Sequence, residues 1–235
     1  MEARLDDLQY KGLGLYQSPG LPCFSQDSVL LAAFADLTAR DNAVDLGAGT
    51  GALCTLCGAR TGARFTAVEK EAELCALLRQ SAAHNGQDIP VYEMDWADAP
   101  RVLGSGTFTA ALCNPPYYAA GTQSPDAARA LARGGADALK GAVFAASRLL
   151  KNGGRLYLCY PADRLTDAIV TLRAHRLEPK RLRLAARDAK SAPYLTLIMA
   201  KLNARPGMDV QPVLFLKDEN GNESAAYRKI YHIED

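Results

Sequence analysis

The sequence predicts one α/β domain whose mostly parallel, seven-stranded sheet has helices on both faces and an antiparallel last strand. Short apolar strands alternate with helical patterns from residue 43 onward, which is typical of a parallel sheet. The last two strands follow each other as a hairpin, so the final strand runs against the others. With 235 residues and 49% hydrophobic content, the chain is long enough to bury its own core.

The N-terminal part predicts an extended lead-in followed by one helix. Residues 1–24 mix polar residues with glycine and proline. Ser25 is a suitable N-cap for the apolar-periodic stretch from Val29 to Leu37. Within the one domain we distinguish a lead-in with its helix (1–42), a core (43–202) and a C-terminal tail (203–235).

The core predicts strands and helices in regular succession. Each strand is a short apolar run, and each helix is a longer periodic stretch with a stop signal such as Asn85-Gly86. The predicted strands are residues 43–46, 65–68, 91–94, 108–113, 154–160, 181–185 and 194–200. The predicted helices are residues 51–60, 71–84, 137–150 and 164–175, with a loop over 118–136 and a short helix at 224–231 in the tail.

Charge and composition exclude several classes of protein. A formal net charge of +1 is unlike that of a strongly basic nucleic-acid binder, yet residues 173–190 hold seven basic and two acidic residues. No apolar run is long enough to cross a bilayer, and no secretory signal is visible, so a cytoplasmic location is expected. The six cysteines are irregularly spaced and the three histidines isolated, so no metal site is predicted.

The strongest local motif is a glycine loop, Asp45 to Gly51, between a strand and a helix. Gly47, Gly49 and Gly51 let the backbone approach a ligand beyond the carboxyl ends of the strands. The third glycine comes one residue earlier than in the dinucleotide fingerprint, and a carboxylate at Asp45 would repel a pyrophosphate. A ligand with a cationic amino group and a sulfonium, S-adenosylmethionine, therefore fits better than NAD or ATP.

Two further acids end neighbouring strands. Glu69 closes the second strand, where a carboxylate can accept both hydroxyls of a ribose. Asp95 closes the third strand and can accept the amino group of an adenine. Three acids at successive strand ends, beside a glycine loop, favour a cofactor site over a set of solvated loop residues.

The fourth strand runs into Asn114-Pro115-Pro116-Tyr117. Two prolines fix the backbone and remove two donors, so the Pro115 carbonyl and the Asn114 side-chain oxygen form a rigid pair of acceptors. Two fixed acceptors suit an NH₂ group, and they favour the positive charge that develops as its nitrogen attacks a methyl group. Tyr117 offers a face on which a flipped base can stack.

Together these motifs resemble those of the class I amino-methyltransferases, which act on adenine N6, guanine N2 or glutamine N5. The segments CFSQDSVLLAAF, LEPKRLRL and LFLKDENGNESAAYRKIY are similar to the tRNA1(Val) adenine-37 N6-methyltransferase-like group. The resemblance covers residues 16–231. It implies a Rossmann-like class I methyltransferase fold, S-adenosylmethionine as cofactor and an adenine N6 in RNA, specifically tRNA, as the target.

The resemblance also implies roles for single residues. Those expected to bind the cofactor are Phe24, Gln26, Asp45, Gly47, Gly49, Gly51, Glu69, Lys70, Asp95, Trp96 and Asn114. Those expected to grip the target base are Asn114, Pro115, Pro116 and Tyr117. Those expected to contact RNA are Arg133, Lys180, Arg181, Arg183, Arg187 and Lys190, although the basic segment can equally be a solvated hairpin face.

The sequence is also compatible with other functions. A protein glutamine N5-methyltransferase shares the Asn-Pro-Pro-Tyr motif, but its relatives have an N-terminal helical domain for which the residues before the first strand are too few. An rRNA amino-methyltransferase is a further alternative. A non-catalytic, cofactor-binding RNA module is the third, because the family's Ala-Arg-His-Glu-like cluster reads Ala132-Arg133-Gly134-Gly135 here. The chain is expected to act as a monomer without a metal.

Overall fold

The computed structural model describes residues 3–116 and 125–232, and the side chains of all of these except residues 125–134. In chain order the elements are β1 (Arg4–Asp7), β2 (Gly14–Gln17), α1 (Gln26–Phe34), β3 (Asn42–Leu46), α2 (Ala52–Thr61), β4 (Arg64–Glu69), α3 (Ala72–His84), β5 (Val91–Glu93), α4 (Ala99–Leu103), β6 (Phe108–Cys113), α5 (Pro125–Leu149), β7 (Leu150–Pro161), a 3-10 helix (Ala162–Arg164), α6 (Leu165–Ala174), β8 (Leu177–Ala186), β9 (Leu195–Leu202), β10 (Asp209–Val210), β11 (Leu214–Phe215) and α7 (Ala225–Tyr231).

The central sheet has the predicted architecture. Its strands lie in the order β8-β9-β7-β6-β3-β4-β5, and these are the seven strands expected from the sequence. The pairs from β7 to β5 are parallel, whereas β9 is antiparallel to both β7 and β8. The prediction of a mostly parallel sheet with an antiparallel last strand is therefore confirmed.

Apolar side chains fill both faces of this sheet. On one face α1 and α2 bury residues such as Leu31 and Leu53, and on the other α5 buries Leu139 and Val143. The sheet is covered on both sides, so its middle strands are mostly apolar. Polar residues collect at one edge of the sheet, beyond the carboxyl ends of β3, β4 and β6.

The lead-in is more ordered than its sequence predicts. Instead of an extended segment, β1 and β2 form an antiparallel hairpin that packs on α3. Ser81 and Asn85 of the α3 region accept hydrogen bonds from the backbone N–H groups of Tyr16 (2.9 Å) and Gly14 (3.0 Å). The hairpin was missed because its strands are short and only β2 is largely buried.

The predicted loop over 118–136 is wrong for its second half. Helix α5 begins at Pro125, and Gly134 and Gly135 lie inside it. Pro125 suits a first helical position, and alanines dominate the residues after it, so helix propensity outweighs the two glycines. Tyr160, at the end of β7, donates a hydrogen bond to the Gly135 carbonyl oxygen at 3.4 Å and ties α5 to the sheet.

The C-terminal tail follows the open edge of β8. Strands β10 and β11 pair parallel with β8, and α7 then packs against α1. The short tail helix expected at 224–231 matches α7, while the two tail strands are additions to the predicted sheet. Within the described part of the chain, no helix is long and apolar enough to cross a membrane.

Candidate active site

A cavity of about 850 Å³ opens at the carboxyl ends of β3, β4 and β6. It is bordered by the segment before α1, the glycine loop, the ends of β4 and β5, and the start of the Asn-Pro-Pro turn. The predicted site residues that line it are Phe24, Gly47, Gly49, Glu69, Lys70, Asp95, Trp96, Asn114, Pro115 and Pro116. The structure thus brings together residues that are up to 92 positions apart in the sequence.

The glycine loop is held by its own backbone. The N–H groups of Gly47 and Ala48 donate to the Val68 carbonyl oxygen at 2.9 and 3.1 Å, and that of Gly51 donates to Ala48 at 2.9 Å. These donors are used within the fold, unlike those of a phosphate-binding loop, which point at the ligand. Gly49 has a φ of +57°, and a Cβ there would meet no atom within 4 Å, so the loop leaves open space toward the cavity.

Glu69 connects the glycine loop to the end of β4. Its Oε2 accepts a hydrogen bond from the Gly49 N–H at 2.8 Å, and its Oε1 accepts from Lys70 (2.8 Å) and Glu71 (3.0 Å). The side chain is only 7% exposed and lines the cavity. Three backbone donors fix the carboxylate in a set orientation at the cavity, and about one of its four lone-pair sites, on Oε2, is left for a ligand.

Asp45 lies beneath the loop and outside the cavity lining. It is fully buried, and its Oδ2 accepts a hydrogen bond from the Cys54 N–H in the first turn of α2 at 3.1 Å. Its Oδ1 has no hydrogen-bond partner among the described residues. Burial, more than the nearby Glu69, raises the pKa of Asp45 to about 7. Asp45 therefore acts on the site by supporting the glycine loop, which lines the cavity.

Trp96 forms one wall of the cavity, and its indole packs closely between two glycines. A Cβ at Gly47 would lie 3.0 Å from the indole, and a Cβ at Gly141 of α5 would lie 2.8 Å from its Nε1. Only glycine gives the ring this room on both sides. Beside it, exposed Asp95 also lines the cavity and accepts a hydrogen bond from the Ala97 N–H at 2.8 Å.

Asn114 is positioned by two neighbours that come from other elements. Its Nδ2 donates a hydrogen bond to the Ser28 hydroxyl oxygen at 2.9 Å, and its Oδ1 accepts one from the Cys159 thiol at 3.0 Å. Burial raises the pKa of the Cys159 thiol well above its ordinary value, so the thiol stays protonated and donates. A carbonyl oxygen has two lone pairs, and Oδ1 keeps one for a ligand.

Several predicted residues lie elsewhere. Gln26 is outside the cavity lining and accepts a hydrogen bond from the Tyr194 hydroxyl at 3.3 Å. Gly51 is also outside the lining and packs under the loop, where a Cβ would meet Leu78 at 2.9 Å. The predictions for Tyr117 and for the Arg133 side chain fall outside what the structure describes.

The predicted RNA-contacting residues divide into two groups. Three are engaged with the chain itself: Lys180 donates to the Arg205 carbonyl oxygen (3.1 Å), Arg183 to that of Pro212 (3.1 Å), and Arg181 pairs with Asp36 (3.7 Å). The other two, Arg187 and Lys190, are exposed in the β8–β9 loop. That loop lies at the same edge as Asn114, because β9 starts opposite the end of β7.

Three residues at the site were not found from the sequence: Ser28, Cys159 and Gly141. Ser28 and Cys159 lie 86 and 45 positions from Asn114, and no local pattern marks either of them as its partner. Gly141 is a helical glycine, which is a signal of close packing, but the sequence does not tell which side chain occupies the space.

The residues present fit S-adenosylmethionine. Open space over Gly49 suits a ligand lying close to the backbone, and the buried, oriented carboxylate of Glu69 suits a ribose hydroxyl. The glycine loop, whose backbone donors are used within the fold, suits a cationic ligand better than a phosphate. The described residues contain no group of three or more histidine, cysteine or acidic side chains that can hold a metal ion.

The solved structures similar to the chain include methyltransferases. A predicted O-methyltransferase from Agrobacterium tumefaciens superposes with a TM-score of 0.72 at 21% identity, covering 88% of the chain and 96% of that protein. A methyltransferase from Pyrococcus furiosus has a TM-score of 0.61 at 17% identity, covering 82% of the chain and 91% of that protein. At these identities the likeness concerns the fold.

Sequence relatives give closer matches. A Shewanella halifaxensis protein named tRNA1(Val) (adenine(37)-N6)-methyltransferase is 29% identical over 88% of the chain and 89% of that relative. A Shewanella amazonensis protein of the same name is 40% identical over 48% of the chain, and the match spans about half of the relative's length, 49%. The family model described as the methyltransferase small domain matches residues 24–166, which include most of the cavity lining and the Asn-Pro-Pro-Tyr motif. The chain therefore belongs to the methyltransferase small domain family, which confirms the predicted class I methyltransferase fold, the enzyme class and S-adenosylmethionine as the cofactor.

Proposed function

We propose that this enzyme methylates the N6 amino group of an adenine in RNA, and that the adenine is position 37 in the anticodon loop of a tRNA. The observation that carries the proposal is the placement of Asn114 at the cavity, with its amide held from two sides by Ser28 and Cys159. The names of the Shewanella relatives support the choice of adenine N6 and tRNA.

The chain's own residues supply orientation and electrostatics. When bound, S-adenosylmethionine supplies an electrophilic methyl group on its sulfonium. Ser28 holds the amide NH₂ of Asn114 and the Cys159 thiol donates to its oxygen, and the second lone pair of that oxygen is proposed as the acceptor for the incoming amino group. An adenine amino group has a delocalised lone pair, and an acceptor for its hydrogen favours the positive charge that develops on nitrogen. The buried Pro115 has no N–H, and its carbonyl is proposed as the second acceptor.

A labelled-methyl assay tests the proposal. Wild type with labelled S-adenosylmethionine and unmodified tRNA should yield labelled N6-methyladenosine in a nucleoside digest. Asn114→Ala should lower kcat by about 100-fold or more, as expected for the loss of one preorganised electrostatic contact. Asn220→Ala, in an exposed tail turn, is the matched control and should keep the wild-type rate.

Two results would overturn the proposal. Label in protein glutamine and none in RNA would identify the amide substrate of the related protein methyltransferases. Undiminished RNA methylation by Asn114→Ala would remove Asn114 from the reaction. A monomeric state, a cytoplasmic location and a single domain remain predictions that accompany the proposal.

A further inference from the structure

Three tyrosines gather beside the first turn of α1. Tyr194 is at the end of the β8–β9 loop and is 39% exposed, and Tyr227 and Tyr231 are on α7. The rings of Tyr227 and Tyr231 are stacked, with centroids 4.4 Å apart and an interplanar angle of 25°. We call Tyr194, Tyr227 and Tyr231 the tyrosine cluster.

Gln26 connects this cluster to the first turn of α1. Its Oε1 accepts a hydrogen bond from the Tyr194 hydroxyl at 3.3 Å, and its side chain is also hydrogen-bonded to Tyr231. This use explains why Gln26 is outside the cavity, although it is only two residues from Ser28. Gln26, which the sequence predicts to bind the cofactor, thus holds the side chains of Tyr194 and Tyr231 beside the cavity.

The same turn of α1 sets the distance from the cluster to the reaction centre. Asp27, the next residue, lines the cavity, and Ser28 accepts the hydrogen bond from Asn114. Gln26 therefore contacts the tyrosine cluster, Asp27 lines the cavity, and Ser28 holds Asn114. The cluster lies on the side of Asn114 opposite the glycine loop, because β7, β9 and β8 lie beyond β6 in the sheet.

Exposed cations accompany the aromatic rings. Arg187 and Lys190 are in the same β8–β9 loop as Tyr194. Asp188 folds this loop by accepting hydrogen bonds from the Lys190 N–H (3.0 Å) and the Ser191 hydroxyl (2.8 Å). Aromatic faces interleaved with cations are the combination by which proteins bind single-stranded nucleic acid.

We propose that the tyrosine cluster, with Arg187 and Lys190, is the platform on which the RNA loop flanking the target base stacks. The inference rests on the proposed function, since it assigns the RNA of that reaction to a surface. A base extruded toward Asn114 leaves its neighbours unstacked, and tyrosine faces beside the cavity replace the lost stacking. Burial, with a contribution from Asp27, raises the pKa of Tyr194, so its hydroxyl stays neutral near RNA phosphates.

Binding of a fluorescently labelled anticodon stem-loop RNA tests this surface. Tyr194→Leu, which keeps bulk but removes the aromatic face, should weaken binding about tenfold, and Tyr194→Phe should restore it. Tyr92→Leu is the matched control, because Tyr92 is 38% exposed on β5 at the far edge of the sheet, and it should bind RNA as wild type does. Affinity for S-adenosylmethionine should stay unchanged in all three variants.

Salt dependence separates stacking from charge. Tyr194→Leu should lower RNA affinity by the same factor at every salt concentration, whereas Lys190→Ala should reduce the slope of affinity against salt.

Equal binding by Tyr194→Leu and Tyr92→Leu would overturn the inference. So would RNA binding unaffected by Tyr194→Leu while methyl transfer to a protein is lost, since that result assigns the surface to a protein partner. Absence of RNA methylation by wild type would instead count against the proposed function, because RNA binding is measured separately.

Discussion

Asp45 supports the site from beneath the glycine loop, outside the cavity lining. Its carboxylate caps the first turn of α2 through the Cys54 N–H and lies under the glycine loop. Only one of its oxygens has a partner among the described residues, and the surroundings are apolar. A buried carboxyl of this kind makes the fold more stable when it is protonated.

This environment predicts a pH-dependent stability. The pKa of Asp45 is raised from 3.8 to about 7 in the folded chain, so the unfolded chain loses this proton first as the pH rises. The stability linked to Asp45 is full below pH 3.8 and is lost as the pH passes through about 7. Between pH 5 and pH 8 the wild type should lose roughly 3 kcal/mol relative to Asp45→Asn, from roughly 1.4 kcal/mol for each pH unit between pH 5 and the folded pKa.

Urea unfolding of both proteins at the two pH values measures this difference. Asp45→Asn keeps a side-chain oxygen for the Cys54 N–H, so the comparison isolates the ionisation. Parallel pH dependence of the two free energies of unfolding would mean that Asp45 does not titrate in this range.

At the scale of elements, the site depends on how closely α5 approaches the end of β5. Gly141 of α5 faces the Trp96 indole, which in turn lies against Gly47 of the loop. Moving α5 or the indole changes the wall of the cavity, so a helix far along the chain sets the width of the cofactor site.

Gly141→Ala should therefore weaken cofactor binding several-fold while leaving the fold intact. Its Cβ would lie 2.8 Å from Trp96 Nε1, and the indole must shift. Gly58→Ala in α2 is the matched control, because its Cβ would meet nothing closer than 3.6 Å. Both variants gain helix propensity, by about 0.5–1 kcal/mol. Calorimetric titration with S-adenosylmethionine measures the affinities, and equal affinities would show that the indole wall is not needed.

The elements that sequence patterns predicted well are those with strong local signals. The strand ending at Cys113 was predicted with its observed bounds, because an apolar run meets two prolines there. The start of α5 was missed because the glycines within it are typical of a loop. The β1–β2 hairpin was missed because its strands are too short to give a clear pattern. Long-range partners such as Ser28 and Cys159 leave no local trace, so the orientation of Asn114 was visible only in the fold.

Across the whole molecule, three parts of the chain meet around one sheet edge. The lead-in contributes Gln17, whose side chain donates to the Thr50 hydroxyl in the glycine loop at 3.0 Å. The core supplies the cavity, and the tail brings α7 and its tyrosines against α1. The cofactor site and the proposed RNA platform are thus on adjoining faces, with the first turn of α1 between them.

Trp96 gives a direct measurement of the central claim, that this cavity holds S-adenosylmethionine beside Asn114. It is the single tryptophan of the chain and lines the cavity, so its fluorescence reports on that place alone. Titration of wild type with S-adenosylmethionine should give a saturable change in fluorescence. Glu69→Gln should need about tenfold or more cofactor to saturate, because a charged hydrogen-bond acceptor is lost. Glu73→Gln, exposed on α3, should match wild type. Saturation of Glu69→Gln at wild-type concentrations, or cofactor binding without any response from Trp96, would contradict the account.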